Sequence, residues 1–320
     1  MSTLHAEAVR DLVLDSKEEV ADGVVRLTLR DPKGMPLPEW EPGSHIDLML
    51  KSDLVRQYSL CGDPRDRSCL QVAVLNEPKS RGGSKYVHEV LSVGDATRVR
   101  GPRNHFPLEK AKHYIFIAGG IGITPLLPMI ATVHARGADW SLMYGGRTRD
   151  SIAFRRDLQD AYKGRVKFRP QDEFGLLDLP ALIGKPRRRT AIYACGPEPL
   201  LAAIENVTQQ WPVGALHLER FAARNDLAAK PRTSFDVELA RSGKTLRVPE
   251  NMSILDAVAN AGVPVMTSCQ EGICGTCQTK VLAGQIDHRD SVLGERERSG
   301  GDSMMICVSR AKGDRLVLDL

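Results

Sequence analysis

The sequence predicts a multidomain chain in three parts, and three observations predict it. Residues 6–106 carry short runs of alternating apolar and polar residues broken by turn signals, which reads as an antiparallel β-barrel domain over 1–108. Residues 111–220 change to strand–helix alternation around continuous apolar runs, which reads as an α/β domain with a parallel sheet over 109–221. Residues 232–320 combine short strand pairs, one helix and a cysteine-rich loop, which reads as a smaller α+β domain. Between the last two, residues 222–231 (AARNDLAAKP) have no apolar period and read as a linker.

Composition bounds the class. A length of 320 residues suits two or three domains, each with its own core. A net charge of +4 is too mild to argue for nucleic acid. Tyr114–Val133 is uncharged for long enough to suggest a membrane span, but it holds three glycines and two prolines. It therefore reads as a buried strand, a turn and a buried helix, and no membrane association is expected. The N-terminal MSTLHAEAVRD has no apolar signal core. Seven cysteines, an odd number, suit a reducing compartment rather than a disulfide scaffold, so a cytoplasmic monomer is expected.

In the first domain, Val24–Leu29, Ser44–Leu50 and Leu70–Val74 are the clearest strands. Arg56-Gln57-Tyr58-Ser59-Leu60 ends another strand with a cation, an aromatic and a hydroxyl. Alternation lets one side chain reach a phosphate and another a ring, although an edge-strand Arg and a packed Tyr give the same pattern. Ser80-Arg81-Gly82-Gly83-Ser84 is a glycine-rich turn before a short helical stretch, Lys85–Leu91. Such a start suits an anion; a plain surface loop reads the same way.

In the second domain, Tyr114–Ala118 is a buried strand leading into Gly119-Gly120-Ile121-Gly122-Ile123-Thr124-Pro125. Thr124 is placed to cap the following helix and Pro125 to open it. The glycines admit a pyrophosphate to the backbone, without the G-x-G-x-x-G fingerprint. A second strand, Ser141–Tyr144, precedes Arg147 and Arg149, which either meet a 2′-phosphate or are solvated. Ala191–Cys195 then ends in Cys195-Gly196-Pro197, where a buried thiol is ordinarily packing.

In the third domain, Phe235–Leu239 and Thr245–Val248 form a strand pair, and Ser253 caps a helix that stops near Gly262. TSCQEGICGTCQ follows, with Cys269-x4-Cys274-x2-Cys277, and Cys307 comes after a gap of 29 residues inside an apolar strand, Met304–Val308. This is the plant-type [2Fe–2S] spacing; zinc sites instead use separated C-x2–4-C pairs. Gly272 and Gly275 let the loop wrap such a cluster. Residues 232–320 hold 11 basic and 12 acidic side chains, a near-neutral balance that suits an electron carrier tethered to its donor. His288 reads as a surface histidine.

RQYSL, SRGGS, GGIGITP, CGP and the four-cysteine set, in this order, resemble the phthalate dioxygenase reductase family over essentially the whole chain, and the ferredoxin–NADP reductase superfamily more loosely. The resemblance implies a flavin-binding barrel, an NAD-binding α/β domain and a β-grasp ferredoxin. It implies FMN held by Arg56 on the phosphate, Gln57, Tyr58 on the ring and Ser59 near N5. Gly82, Gly83 and Ser84 would cradle the phosphate, and the backbone at Ala73 and Val74 would lie along the flavin. Gly119, Gly120, Gly122, Thr124, Arg147 and Gly196 would hold NADH. Cys195 would set nicotinamide against flavin, and Phe221, in HLERF, would cover the flavin. Ser59, Cys195 and Phe221 are thus the catalytic candidates, and Cys269, Cys274, Cys277 and Cys307 the metal ligands. The implied activity is an NADH-dependent reductase feeding a terminal oxygenase, of Rieske type, that acts on an aromatic compound. A cytochrome P450 or other monooxygenase is the alternative acceptor. A reading from another class is a redox sensor with little NADH oxidation, against which the intact nucleotide and flavin motifs argue.

Overall fold

Alternation in the first third folds into six antiparallel strands in a computed structural model that describes residues 8–51, 54–78, 80–223 and 231–320. They are β1 (Val9–Ala21), β2 (Val24–Arg30), β3 (Ser44–Met49), β4 (Val55–Ser59), β5 (Leu70–Leu75) and β6 (Ala96–Asn104), in the order β4-β3-β6-β1-β2-β5. The sheet curls until a bridge between Leu60 and Val72 joins its two edges. Its interior is filled by Leu12, Leu27, Leu29, Ile46, Leu48 and Val99, all buried. On the opposite face, Asp47 is fully buried between Arg100 and Arg103, each 2.5 Å from a carboxylate oxygen, which pins β3 to β6. Helix α1 (Gly83–Glu89) follows the glycine turn.

The middle third forms a parallel sheet, β11-β10-β7-β8-β9, from β7 (His113–Gly119), β8 (Asp139–Gly146), β9 (Val166–Pro170), β10 (Thr190–Cys195) and β11 (Leu216–Glu219). Strands β7 and β10 are buried almost throughout, as runs covered on both faces must be. The helices α2 (Leu126–Ala135), α3 (Arg155–Ala161), α4 (Gln171–Phe174), α5 (Leu179–Ile183) and α6 (Glu198–Val207) connect them. The uncharged Tyr114–Val133 stretch is β7, a 3-10 turn at Gly120–Ile123 and most of α2. Among the described residues no helix is long and apolar enough to cross a membrane. The expected Thr124 cap is corrected: α2 opens after Pro125, and the Thr124 hydroxyl donates back to the Ile121 carbonyl at 3.0 Å, because the 3-10 turn already carries the chain into helical geometry.

One apolar cluster contains Val24, Ala73 and Phe106 from the barrel together with Phe116, Tyr144 and Tyr193 from the parallel sheet and Met129 from α2. The two sheets accordingly belong to one compact unit, Met1–Glu219, and Arg220–Leu320 forms a second. Most of the linker expected at 222–231 lies outside the described residues.

The second unit has a five-stranded sheet, β13-β12-β18-β14-β16, built from β12 (Phe235–Leu239), β13 (Lys244–Val248), β14 (Gln278–Ala283), β16 (Ser303–Met305) and β18 (Arg315–Leu318). A two-stranded ladder joins β15 (Ile286–Asp287) to β17 (Arg310–Ala311). Helix α7 (Ile254–Asn260) packs on the sheet and starts at a capping box, with Ser253 accepting from the Asp256 N–H and Asp256 accepting from the Ser253 N–H. Two expectations are corrected here. The strand ends at Met305, so Cys307 stands in the turn after it, not in the strand. His288 is largely buried, its side chain 10% exposed and 3.6 Å from Asp290, because Arg298 of α8 (Glu295–Gly300) folds back beside it to bind the Asp290 and Leu293 carbonyls.

Candidate functional site

The residues singled out in the first unit gather at the junction of its two sheets. Arg56 leaves β4 and donates to the Arg81 carbonyl at 2.7 Å. A Cβ on Gly83 would lie 2.4 Å from Arg56 Cγ, so only glycine lets the turn close on this arginine. Gly82 stands at φ +89°, which a side chain would oppose. The RQYS strand and the SRGG turn thus meet at Arg56, which brings a guanidinium against the Gly82–Gly83 backbone, a pairing whose charge suits a phosphate. Ser84 is buried, and its hydroxyl accepts from the Glu77 N–H at 3.2 Å. Tyr58 is half-buried against the barrel core, and burial pushes its phenol up to about 12. Gln57 keeps a buried Oε1 with no hydrogen-bond partner among the described residues. Ala73 and Val74 are buried on β5, and the Val74 carbonyl meets His88 Nε2 at 2.9 Å.

At the far end of β4, Ser59 donates to Glu219 Oε2 at 3.2 Å. Glu219 is the last residue of β11 and pairs in register with Cys195 at the end of β10. A hydroxyl, a carboxyl and a thiol from three strands therefore converge. Burial pushes Glu219 up to about 8, the Ser59 hydrogen bond offsetting part of the rise. Burial, with Glu219 adding to it, pushes the Cys195 thiol well up, so it stays protonated and is no nucleophile.

The nucleotide loop packs glycine on glycine. A Cβ on Gly122 would sit 2.2 Å from the Cys195 carbonyl oxygen, and one on Gly119 would sit 2.7 Å from Pro197 Cδ. A Cβ on Gly196 would meet Gly119 Cα at 3.0 Å. GGIG and CGP are thus two faces of one tight backbone crossing at the carboxyl edge of the sheet. Gly120 turns at φ +54°, and its carbonyl accepts from the Tyr144 hydroxyl at 3.0 Å. Arg147 is exposed beyond β8, whereas Arg149 is forked on Glu173 and so is not simply solvated. Phe221 falls in the second unit, two residues past β11, with its ring 41% exposed.

In the second unit the four expected thiols come together, and none of the seven cysteines is in a disulfide. They stand as two neighbouring pairs, Cys269 beside Cys274 and Cys277 beside Cys307, and the Cys274 thiol donates to Thr276 Oγ1 at 3.3 Å. Within each pair one thiol is driven down, Cys274 to about 5, and its partner up. Among the described residues no three such ligands close round a single ion. Two pairs side by side are the donor set that a binuclear iron cluster needs. The Glu271 N–H points at Cys269 Sγ from 3.3 Å. Gly272, at φ +70°, leaves no room for a side chain: its Cβ would lie 2.5 Å from Val308 Cγ2 and 3.1 Å from Asp290 Cα.

Two residues of this architecture were not singled out from the sequence. Glu219 is marked only by the β10–β11 register and by Ser59, 160 positions away. Asp290, fully buried, accepts from the Val292 and Leu293 N–H groups at 3.1 and 2.8 Å, while Ser291 N–H holds the Gly272 carbonyl at 2.8 Å. It braces the cluster loop from behind.

Comparison with known proteins agrees with this geometry. Residues 237–312 match a 2Fe-2S iron-sulfur cluster binding domain and residues 116–206 an oxidoreductase NAD-binding domain. The chain is 43% identical to a phenoxybenzoate dioxygenase subunit beta of Ectopseudomonas oleovorans over 94% of both chains. It is 39% identical to the phthalate dioxygenase reductase of Burkholderia cepacia over 100% of both. A solved phthalate dioxygenase reductase, described as a modular structure for electron transfer from pyridine nucleotides to [2Fe–2S], superposes with a TM-score of 0.72, covering 98% of both chains. An intact type IV self-sufficient cytochrome P450 monooxygenase superposes at TM-score 0.91 and 46% identity, covering 98% of this chain; this chain spans 41% of that one.

Proposed function

This chain belongs to the phthalate dioxygenase reductase family, an NADH-dependent oxidoreductase that passes electrons through flavin to a [2Fe–2S] cluster, and on that premise we propose that it supplies a separate Rieske-type oxygenase acting on an aromatic compound. The observation that carries the reading is that an oxidoreductase NAD-binding domain and a 2Fe-2S cluster binding domain stand on one chain. The flavin, when bound, accepts a hydride and releases its electrons one at a time, which the cluster requires. The rest is the work of the chain's own residues.

Arg56, with the Gly82–Gly83 turn and Ser84, holds the flavin phosphate, a monophosphate cradle suited to FMN. Gln57 and Tyr58 and the Ala73–Val74 backbone position the ring. Ser59 sets its hydroxyl oxygen near flavin N5, while Glu219 holds the hydroxyl proton and so fixes which way the oxygen faces. Gly119, Gly120, Gly122, Thr124 and Gly196 receive the nucleotide, and Arg147 meets its adenosine end. Cys195, protonated and inert, gives the nicotinamide a snug apolar wall, with Phe221 as the aromatic cover that must move aside. Cys269 and Cys274 take one iron, Cys277 and Cys307 the other. The chain works as a monomer in the reducing cytoplasm, where its thiols stay available.

A second acceptor is favoured by one observation: the strong superposition on a self-sufficient cytochrome P450 monooxygenase. Cross-linked capture of the partner from the source cell, followed by its absorption and EPR spectra, separates the two. A Rieske signal supports the proposal; a haem Soret band replaces the acceptor and leaves the reductase chemistry standing.

A further inference from the structure

The second and third strands of the nucleotide sheet end side by side. β8 and β9 run parallel with Gly146 beside Pro170, so the residues just past each strand meet at the carboxyl edge, where sheets of this kind take their ligands. Past β8 stand Arg147 and Arg149; past β9 stands α4. Two contacts fix α4: the Asp172 N–H donates to the Arg147 carbonyl at 3.2 Å, and Arg169 lies 4.6 Å from the centre of the Phe174 ring. Held in this way, α4 presents Glu173 to Arg149. Nε donates to Oε1 at 2.9 Å and Nη2 donates to Oε2, a two-bond fork. The fork holds the Glu173 carboxyl below its usual range and Arg149 above it, with Asp172 and Asp150 adding to the hold on Arg149. The Arg147 guanidinium, by contrast, is exposed and has no hydrogen-bond or ion-pair partner among the described residues.

We propose that Glu173 is the residue that makes this chain choose NADH over NADPH: it occupies the Arg149 guanidinium and sets a carboxylate where a 2′-phosphate would arrive. The proposal rests on the reading above, in which the nucleotide lies over Gly119–Thr124 with its adenosine towards β8. An arginine pair beyond the second strand would by itself invite the extra phosphate. Glu173 reverses the invitation twice. It takes up the planar donors that would fork onto the phosphate, and its charge repels a second anion at the same place. Rejection by a built-in like charge is a stronger discriminator than the mere lack of a contact. A ribose with free hydroxyls meets no such repulsion.

The test is anaerobic reduction of the flavin in the full chain by NADH and by NADPH, with kcat/KM measured for each. It compares the native protein, Glu173→Gln, Arg149→Ala and the double variant. Glu173→Gln should raise the NADPH-to-NADH ratio by about tenfold or more, and the gain should vanish when Arg149 is also removed. An unchanged ratio in Glu173→Gln, or a gain that survives loss of Arg149, overturns the proposal. A measurement on the native chain stands beside it: 2′,5′-ADP should compete with NADH about tenfold more weakly than ADP does, and equal competition also overturns it. Failure of the underlying reading looks different, since the native flavin would then be bleached by neither nucleotide.

Discussion

Glu219 is a carboxyl poised in the pH range where the protein works. Burial raises it from an ordinary 4.5 to about 8. Between those values the folded chain holds a proton that the unfolded chain has released. The stability this contributes is complete below about 4.5 and is lost as pH rises through 8. Glu219→Gln keeps an acceptor for the Ser59 hydroxyl but cannot titrate. Its melting temperature should therefore fall less between pH 5 and pH 8 than that of the native chain, as read by thermal unfolding at each pH; parallel curves would show that Glu219 does not titrate in this window. Asp290 is a different kind of buried carboxylate, one that satisfies backbone donors. Asp290→Ala leaves the Val292 and Leu293 N–H groups unpaired beneath the cluster loop, at a cost of about 1–3 kcal/mol. Loss of the iron–sulfur absorbance in mild denaturant should be faster in this variant, and Asp290→Asn should recover part of the difference. An unchanged loss rate in Asp290→Ala would remove the bracing role.

At the scale of elements, the crossing of β7 and β10 is the tightest constraint in the nucleotide domain. Gly122 lies against main chain, not against a side chain that can swing away. Gly122→Ala must push the two strand ends apart, a strain of about 1–3 kcal/mol, and it should raise the KM for NADH while flavin content stays at the native level. A native KM would mean that the crossing does not shape the nucleotide site. What was legible in the sequence follows from how local each signal is. C-x4-C-x2-C lies within one loop and Ser253 lies beside the helix it caps, so spacing alone reveals both. RQYS and SRGG were visible as separate pieces, but their contact through Arg56 and Gly83 needed the curl of the barrel. Glu219 was hidden because its meaning comes from register and from a distant serine. His288 reads as exposed because its neighbours in sequence are charged, whereas Asp290 and the returning Arg298 of α8 stand against it. Cys307 was assigned to a strand because the apolar run continues through it, yet a cysteine that must reach a loop sits better in the turn that ends the strand.

At the scale of the whole chain, the chemistry is divided as the chain is. Arg56, Ser59, Cys195, Glu219 and the glycine crossing all lie in Met1–Glu219, and the four cluster thiols all lie in Arg220–Leu320. On the roles proposed above, hydride arrival draws on the first set together with Phe221 at the head of the second unit, and single-electron delivery draws on the four thiols. The two halves of the activity should therefore fail separately. Removing iron with a chelator under reducing conditions should strip the cluster and leave the thiols, and replacing Cys274 with serine should lose it by removing one thiolate of the Cys269–Cys274 pair. NADH should still bleach the flavin at close to the native rate in either preparation, whereas electron delivery to the oxygenase partner should fall by about a hundredfold or more, since no carrier links the flavin to the acceptor. Stopped-flow absorbance follows the first step and oxygenase turnover the second. Slow flavin reduction in the cluster-free chain would show that the cluster takes part in hydride transfer. Undiminished turnover would show instead that the acceptor draws electrons from the flavin directly, and that the cluster serves some other end.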